Sequence, residues 1–130
     1  MAVLIVEDNV VNQKVLARVL ELNGWSDIRV HGTAENAAVE LGTTPFDLIL
    51  VDWMLPGLSG VELVRRIRQS RLNAQAPVLI VTAHNQKEHV LEAVRAGVDD
   101  FVVKPFRADV LLEKIRRIQE AKASRGAVQA

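Results

Sequence analysis

The chain has 130 residues and a mass of 14.4 kDa, enough to bury the core of one ordinary domain and too little for two. Sixteen basic and sixteen acidic residues cancel, which argues against a protein built to grip nucleic acid and points to protein or small-molecule partners. The absence of cysteine excludes a disulfide framework, a thiolate metal site and a thiol redox couple; no apolar run approaches the roughly 18 residues of a membrane span, and no basic leader precedes Ala2, so the expectation is a soluble, cytoplasmic protein with no membrane insertion.

Ala2-Val3-Leu4-Ile5-Val6 is a continuous aliphatic run that stops at Glu7-Asp8, the pattern of a strand covered on both faces. The period then changes: Val11, Val15, Val19 and Leu22, with Leu16 and Leu20 beside them, predict one face of a helix that Asn23-Gly24 ends. Ile28-Arg29-Val30 reads as a short edge strand, and Thr33 as the cap of a helix with Ala34, Ala37, Ala38 and Leu41 inward. Leu48-Ile49-Leu50-Val51 is the most apolar strand; it runs into Asp52 and then the turn formers Pro56-Gly57. Val61, Leu63, Val64 and Ile67 mark a third helix, whose Arg65, Arg66, Arg68 and Arg71 read as a solvated outer face. Val78-Leu79-Ile80-Val81 is a fourth strand ending at Thr82-Ala83-His84, followed by a helix on Val90, Leu91 and Val94 that stops at Ala96-Gly97. Phe101-Val102-Val103 is the fifth strand, ending at Lys104-Pro105, and Leu111, Leu112, Ile115 and Ile118 set the inner face of a last helix. Residues 1–120 form the expected domain, and 121–130 a fraying helix end or linker stub.

Five strands alternating with five helices predict an α/β fold with right-handed crossovers over a parallel sheet covered on both faces. Parallel strands put their C-terminal ends on one rim, where ligands bind in open α/β sheets, so Glu7, Asp8, Asp52, Thr82 and Lys104 are expected to converge there. Crowded carboxylates repel unless a cation joins them, and an all-oxygen set suits Mg²⁺. A divalent ion and a lysine at one rim form a charge clamp for a phosphoryl group, with Asp52 as nucleophile for an acyl phosphate. His31, His84 and His89 lack the spacing of a metal set.

Val6-Glu7-Asp8-Asn9, Val51-Asp52 with Leu55-Pro56-Gly57 and Gly60, Val81-Thr82-Ala83, and Val103-Lys104-Pro105-Phe106 resemble, in order and spacing, the signature of response-regulator receiver domains. The resemblance covers residues 2 to about 120 and implies a flavodoxin-like (βα)5 three-layer sandwich with strand order 2-1-3-4-5. It implies phosphotransfer to Asp52 from a phosphohistidine of a sensor histidine kinase or a histidine phosphotransfer protein. Mg²⁺ would be held by Asp8, Asp52, the backbone carbonyl of Met54, and Glu7 through water; Lys104 would contact the phosphoryl group. Thr82 and Phe101 occupy the family's switch positions, Met54 and His84 flank the phosphorylation site, and the Lys104-Pro105 bond would be cis. Phe101 lacks the hydroxyl of a tyrosine switch, so its inward state would depend on packing. The face of helix 4, strand 5 and helix 5 would meet a downstream protein, the chain being a monomer or weak dimer. Such a protein is a signalling phosphoacceptor rather than an enzyme, although family members promote their own phosphorylation and dephosphorylation.

Gly24-Trp25, Asp52-Trp53 and Val81-Thr82-Ala83 resemble single-domain chemotaxis-type regulators, whereas Glu7-Asp8-Asn9 with Asn12 resembles receivers attached to hybrid histidine kinases. A haloacid-dehalogenase-type Mg²⁺ phosphatase would place its nucleophile after the first strand in an Asp-x-Asp pattern, which this chain lacks. A flavin carrier would need a glycine- and hydroxyl-rich phosphate loop where Glu7-Asp8 stands. A receiver that binds partners without phosphorylation is disfavoured by the complete set of acids, threonine and lysine.

Overall fold

The structure, a computed structural model, describes residues 1–83 and 87–129. The elements are β1 (Ala2–Val6), α1 (Val10–Leu22), β2 (Asp27–His31), α2 (Ala34–Leu41), β3 (Leu48–Val51), α3 (Gly60–Gln69), β4 (Val78–Thr82), α4 (Lys87–Ala96), β5 (Asp100–Val103) and α5 (Ala108–Gln129). All strand pairings are parallel, as the alternating pattern implies, and the order is β2-β1-β3-β4-β5, as the resemblance implies. Ile28-Arg29-Val30 does lie on an edge, and β3 sits at the centre with all four residues buried.

The strands sort their side chains by the period of two. Leu4, Val6, Ile49, Val51, Val78 and Ile80 point to one side, where they pack with α2, α3 and α4; Val3, Ile5, Leu48, Leu50, Leu79 and Val81 point to the other, against α1 and α5. Each fully buried Leu, Ile or Val contributes about 1.5–3 kcal/mol relative to exposure. Local signals set the ends. Asn9, Thr33 and Ser59 cap α1, α2 and α3 by accepting hydrogen bonds from Asn12, Asn36 and Glu62 N–H. Gly97 (φ +106°) ends α4 by accepting the left-handed conformation that a side chain would strain.

Three sequence expectations are corrected. On α1 the inward residues are Leu16 and Leu20, with Ala17 and Val19 partly buried; Val11, Val15 and Leu22 are exposed. This helix carries apolar residues nearly all round, so period alone selects no face. On α4 the buried residues are Ala93 and Ala96, while Leu91 and Val94 are exposed, because α4 packs close on α3 and only small residues fit between. Arg68 is no solvated residue. It reaches below α3, where its guanidinium donates to Gly97 O (2.8 Å), Ala74 O (3.1 Å), Ala76 O (2.6 Å) and Asp99 Oδ2 (2.9 Å). Asp99 also accepts from Val78 N–H (2.8 Å) and pairs with Lys122 of α5 (3.3 Å), which ties α3, β4, β5 and α5 at the N-terminal end of the sheet.

The C-terminal segment continues α5 as one helix to Gln129. Leu111, Ile115 and Ile118 form its buried face, as the spacing predicts, with Leu112 at the margin. The Lys104–Pro105 peptide is cis.

Candidate acceptor site

At the C-terminal rim, β1 ends in Glu7 and β3 in Asp52, because two buried aliphatic strands paired in register stop at the same height. Asp52 N–H donates to Val6 O (2.9 Å), which fixes the two acids side by side. Carboxylate oxygens of Glu7, Asp8 and Asp52 all lie within 4.8 Å of one another. Glu7 and Asp52 are buried (1% and 8% exposed), whereas Asp8 faces solvent, so the cluster is open on one side.

Lys104 follows β5 and crosses to both buried acids, with Nζ 2.5 Å from Glu7 Oε1 and 3.1 Å from Asp52 Oδ2. Burial works against its ammonium form, but the hydrogen bond to Glu7 and the charge and hydrogen bond of Asp52 outweigh this and raise its pKa above the ordinary 10.5. Lys104 therefore stays charged throughout the neutral range. Its single positive charge offsets one of the three acids and leaves the pocket net negative. Three oxygen-bearing groups within reach of one point, with a negative surplus and an open side, fit a hard divalent cation.

The remaining residues surround this centre. Thr82 ends β4, is 2% exposed, and its carbonyl accepts from Lys104 N–H at 2.7 Å, which sets β5 against β4 at the rim. Asp52 Oδ1 accepts from Met54 N–H (3.3 Å), so the β3–α3 loop folds back over the acid; the Met54 side chain is exposed. Gly60 closes that loop. A Cβ there would stand 2.3 Å from Asp52 O, and Gly60 N–H donates to Trp53 O at 3.2 Å. Phe101 is half-buried on β5, set back from the acids among the α3–α4 side of the core, with Lys114 Nζ 5.2 Å above its ring. His84 lies outside the described residues.

Sequence reasoning missed several supporting groups. Gln13 Nε2 donates to Glu7 O (2.6 Å), Lys114 donates to Phe101 O (2.8 Å), and Glu35 Oε1 accepts from Leu58 N–H (2.7 Å). All three act on backbone groups across the fold, which leaves no periodic signal in the chain. Asn9, named in the sequence only as part of the Glu7-Asp8-Asn9 motif, donates its N–H to Glu7 Oε2 at 3.3 Å.

A buried aspartate, a companion acid pair and a lysine gathered at the C-terminal rim of a parallel sheet in this strand order are the arrangement of an α/β signalling domain. The chain belongs to the response regulator receiver domain family, whose model matches residues 3–116. It is 36% identical over 120 residues to the chemotaxis protein CheY of Pseudomonas aeruginosa, covering 92% of this chain and 97% of that one. It is 34% identical over 116 residues to the phosphate regulon transcriptional regulatory protein PhoB of the same organism, covering 89% of this chain and 50% of that one. The chain thus spans half the length of that regulator and nearly all of the chemotaxis protein. Among solved structures, a CheY-like receiver domain from Methanospirillum hungatei superposes with a TM-score of 0.88 at 26% identity, over 95% of this chain and 97% of that one. The receiver domain of a sensor histidine kinase from P. aeruginosa, with a magnesium ion coordinated in its active-site cleft, gives 0.84 at 28% identity, over 92% and 97%. This chain is a response-regulator receiver of the two-component signalling class. None of its helices, among the described residues, is long and apolar enough to cross a membrane.

Proposed function

We propose that Asp52 accepts a phosphoryl group from the phosphohistidine of a sensor histidine kinase or a histidine phosphotransfer protein. One observation carries the assignment: Asp52 is a buried carboxylate held 3.1 Å from the Lys104 ammonium beside two further acids, at the open rim of the sheet. An Asp52 oxygen attacks phosphorus as the P–N bond to the imidazole breaks; the bonding pair returns to the ring nitrogen, and the product is an aspartyl phosphate. Lys104 faces both the acceptor and the incoming oxygens, and its charge offsets what accumulates on them. Glu7, beside the acceptor, anchors that lysine through its own carboxylate.

Asp8, Asp52 and the Met54 carbonyl would hold Mg²⁺, with Glu7 acting through water. When bound, the ion supplies positive charge to the phosphoryl oxygens and relieves the repulsion among the acids. Thr82, buried at the end of β4, is the hydroxyl placed to meet a phosphoryl oxygen, and Phe101 is the aromatic that would turn inward with it. The face of α4, β5 and α5 would then meet a downstream protein; Leu91, Val94 and Val110 are its exposed apolar residues. The receiver unit is residues 1–120, with 121–130 continuing its last helix, and it works in the cytoplasm as a monomer or weak dimer. It engages no nucleic acid directly. As a phosphoacceptor it is no enzyme in the usual sense, since its turnover extends only to its own phosphorylation and dephosphorylation. The chemotaxis relative matched along nearly its whole length favours a regulator acting alone by protein contact; the likeness to a sensor-kinase receiver supports the alternative, a receiver that belongs to a hybrid kinase or phosphorelay.

Intact mass after incubation with acetyl phosphate, with Mg²⁺ or with chelator, tests the chemistry. A metal-dependent adduct of one phosphoryl group on the wild type and none on Asp52→Asn is expected. An acid-labile adduct on Asp52→Asn would refute the assignment.

A further inference from the structure

We propose that Glu35, on the first turn of α2, is a positioning residue for the metal end of the acceptor site, because it fixes the outer turn of the β3–α3 loop that presents the Met54 carbonyl. The proposal rests on the reading of that carbonyl as a metal ligand.

The loop runs from Trp53 to Ser59 and is held at two places. Its root is closed beside Asp52 by the Gly60 N–H to Trp53 O bond and by Met54 N–H on Asp52 Oδ1. Its outer turn is held by Glu35, whose Oε1 accepts from Leu58 N–H at 2.7 Å. Gly57 makes this approach feasible in two ways. Its φ of +72° turns the chain under the carboxylate, and a Cβ at this position would stand 3.0 Å from Glu35 Oε2 and 3.1 Å from Oε1. The carboxylate thus lies flat on a residue without a side chain and takes the next amide. Leu55 and Leu58 press the same turn on the core between α2 and α3. Met54 stands between the two anchors, so the direction of its carbonyl is set by both. A charged acceptor on a backbone amide is among the stronger single hydrogen bonds.

Glu35→Ala removes the acceptor; Glu35→Gln removes the charge and keeps an oxygen for Leu58 N–H. Two measurements separate the steps. The first is amide exchange at Gly57 and Leu58 without metal. The second is the Mg²⁺ dissociation constant from tryptophan fluorescence, read without phosphoryl donor. For Glu35→Ala we expect exchange and the dissociation constant each to rise about 3- to 10-fold, the equivalent of one hydrogen bond. Glu35→Gln should stay within about twofold of the wild type, and saturating Mg²⁺ should restore phosphoryl uptake by Glu35→Ala. If Glu35→Gln binds Mg²⁺ as poorly as Glu35→Ala, the effect is one of charge and positioning is refuted. Unchanged exchange in Glu35→Ala overturns the clamp itself. Faster exchange with unchanged Mg²⁺ affinity also overturns the proposal, and assigns the failure to the reading of Met54 as a ligand.

Discussion

The two ends of the sheet use the same chemistry to opposite purposes. At the C-terminal rim one lysine meets three acids, and one of those acids opens to solvent. At the N-terminal end one acid, Asp99, meets two cations, Arg68 and Lys122, and every nitrogen of the Arg68 guanidinium has an acceptor. The donors of the Arg68 guanidinium are all met by the chain itself, and the effect of the lower cluster is to hold α3, β5 and α5 together. The upper cluster keeps a negative surplus that a cation can relieve. Satisfied donors and a closed surround, more than the presence of charged groups, distinguish a brace from a site.

Substitutions at each end can break this contrast. Lys104→Ala should slow phosphoryl uptake by about a hundredfold, as loss of one charged contact to a transferring group does. It should also lower the thermal midpoint without metal and regain much of it when Mg²⁺ replaces the missing charge, whereas the wild type gains less. Equal gains in both proteins would show that the rim does not exchange one cation for another. Arg68→Met should cost about 2–3 kcal/mol in urea unfolding, since it removes the donors of three carbonyls and one of the two cations on Asp99. Mg²⁺ should not repair it, and the rate of phosphoryl uptake by the folded fraction should match the wild type. A smaller effect belongs to the edge strand, where Arg29 and His31 both contact Glu40, at 2.7 and 3.0 Å. Burial raises the Glu40 pKa, but the hydrogen bonds from His31 and Arg29 prevail and hold it below 4.5. A depressed carboxylate stabilises the fold above its unfolded value and loses that contribution as pH falls through its folded value. The midpoint difference between wild type and Glu40→Gln, present at pH 7, should therefore shrink as pH falls below 4.5; a difference that does not shrink with falling pH would contradict this origin.

The parallel sheet and the rim acids were legible because both follow from one-dimensional patterns: aliphatic runs alternate with helices and end in carboxylates, and parallel strands align their ends; the strand order came from the family resemblance. The faces of α1 and α4 were not. On α1, Val11, Val15 and Leu22 are as apolar as Leu16 and Leu20, and only the position of the neighbouring sheet separates them. On α4 the larger residues face outward because the gap beside α3 admits only Ala93 and Ala96, so ranking by hydrophobicity selects the wrong side. Arg68 looked like its basic neighbours, and its distinct role depends on carbonyls from residues 74, 76 and 97 that meet only in the folded chain. Of the site, Asp52, Glu7, Asp8 and Lys104 could be read from position, whereas the Glu35 and Gln13 contacts required coordinates.

The contact between Gly60 and the Asp52 carbonyl leaves no room for even one methyl group, since the added carbon would sit 2.3 Å from that oxygen. Helix α3 is therefore seated directly on the Asp52 peptide, and the loop between them is a closed ring whose clasp is independent of its circumference. Residues inserted near Leu55 would lengthen the ring and alter what it offers to a metal, yet leave Asp52 where the clasp holds it. Variation in this loop can thus change what surrounds the acidic rim while Asp52 stays in register with Lys104.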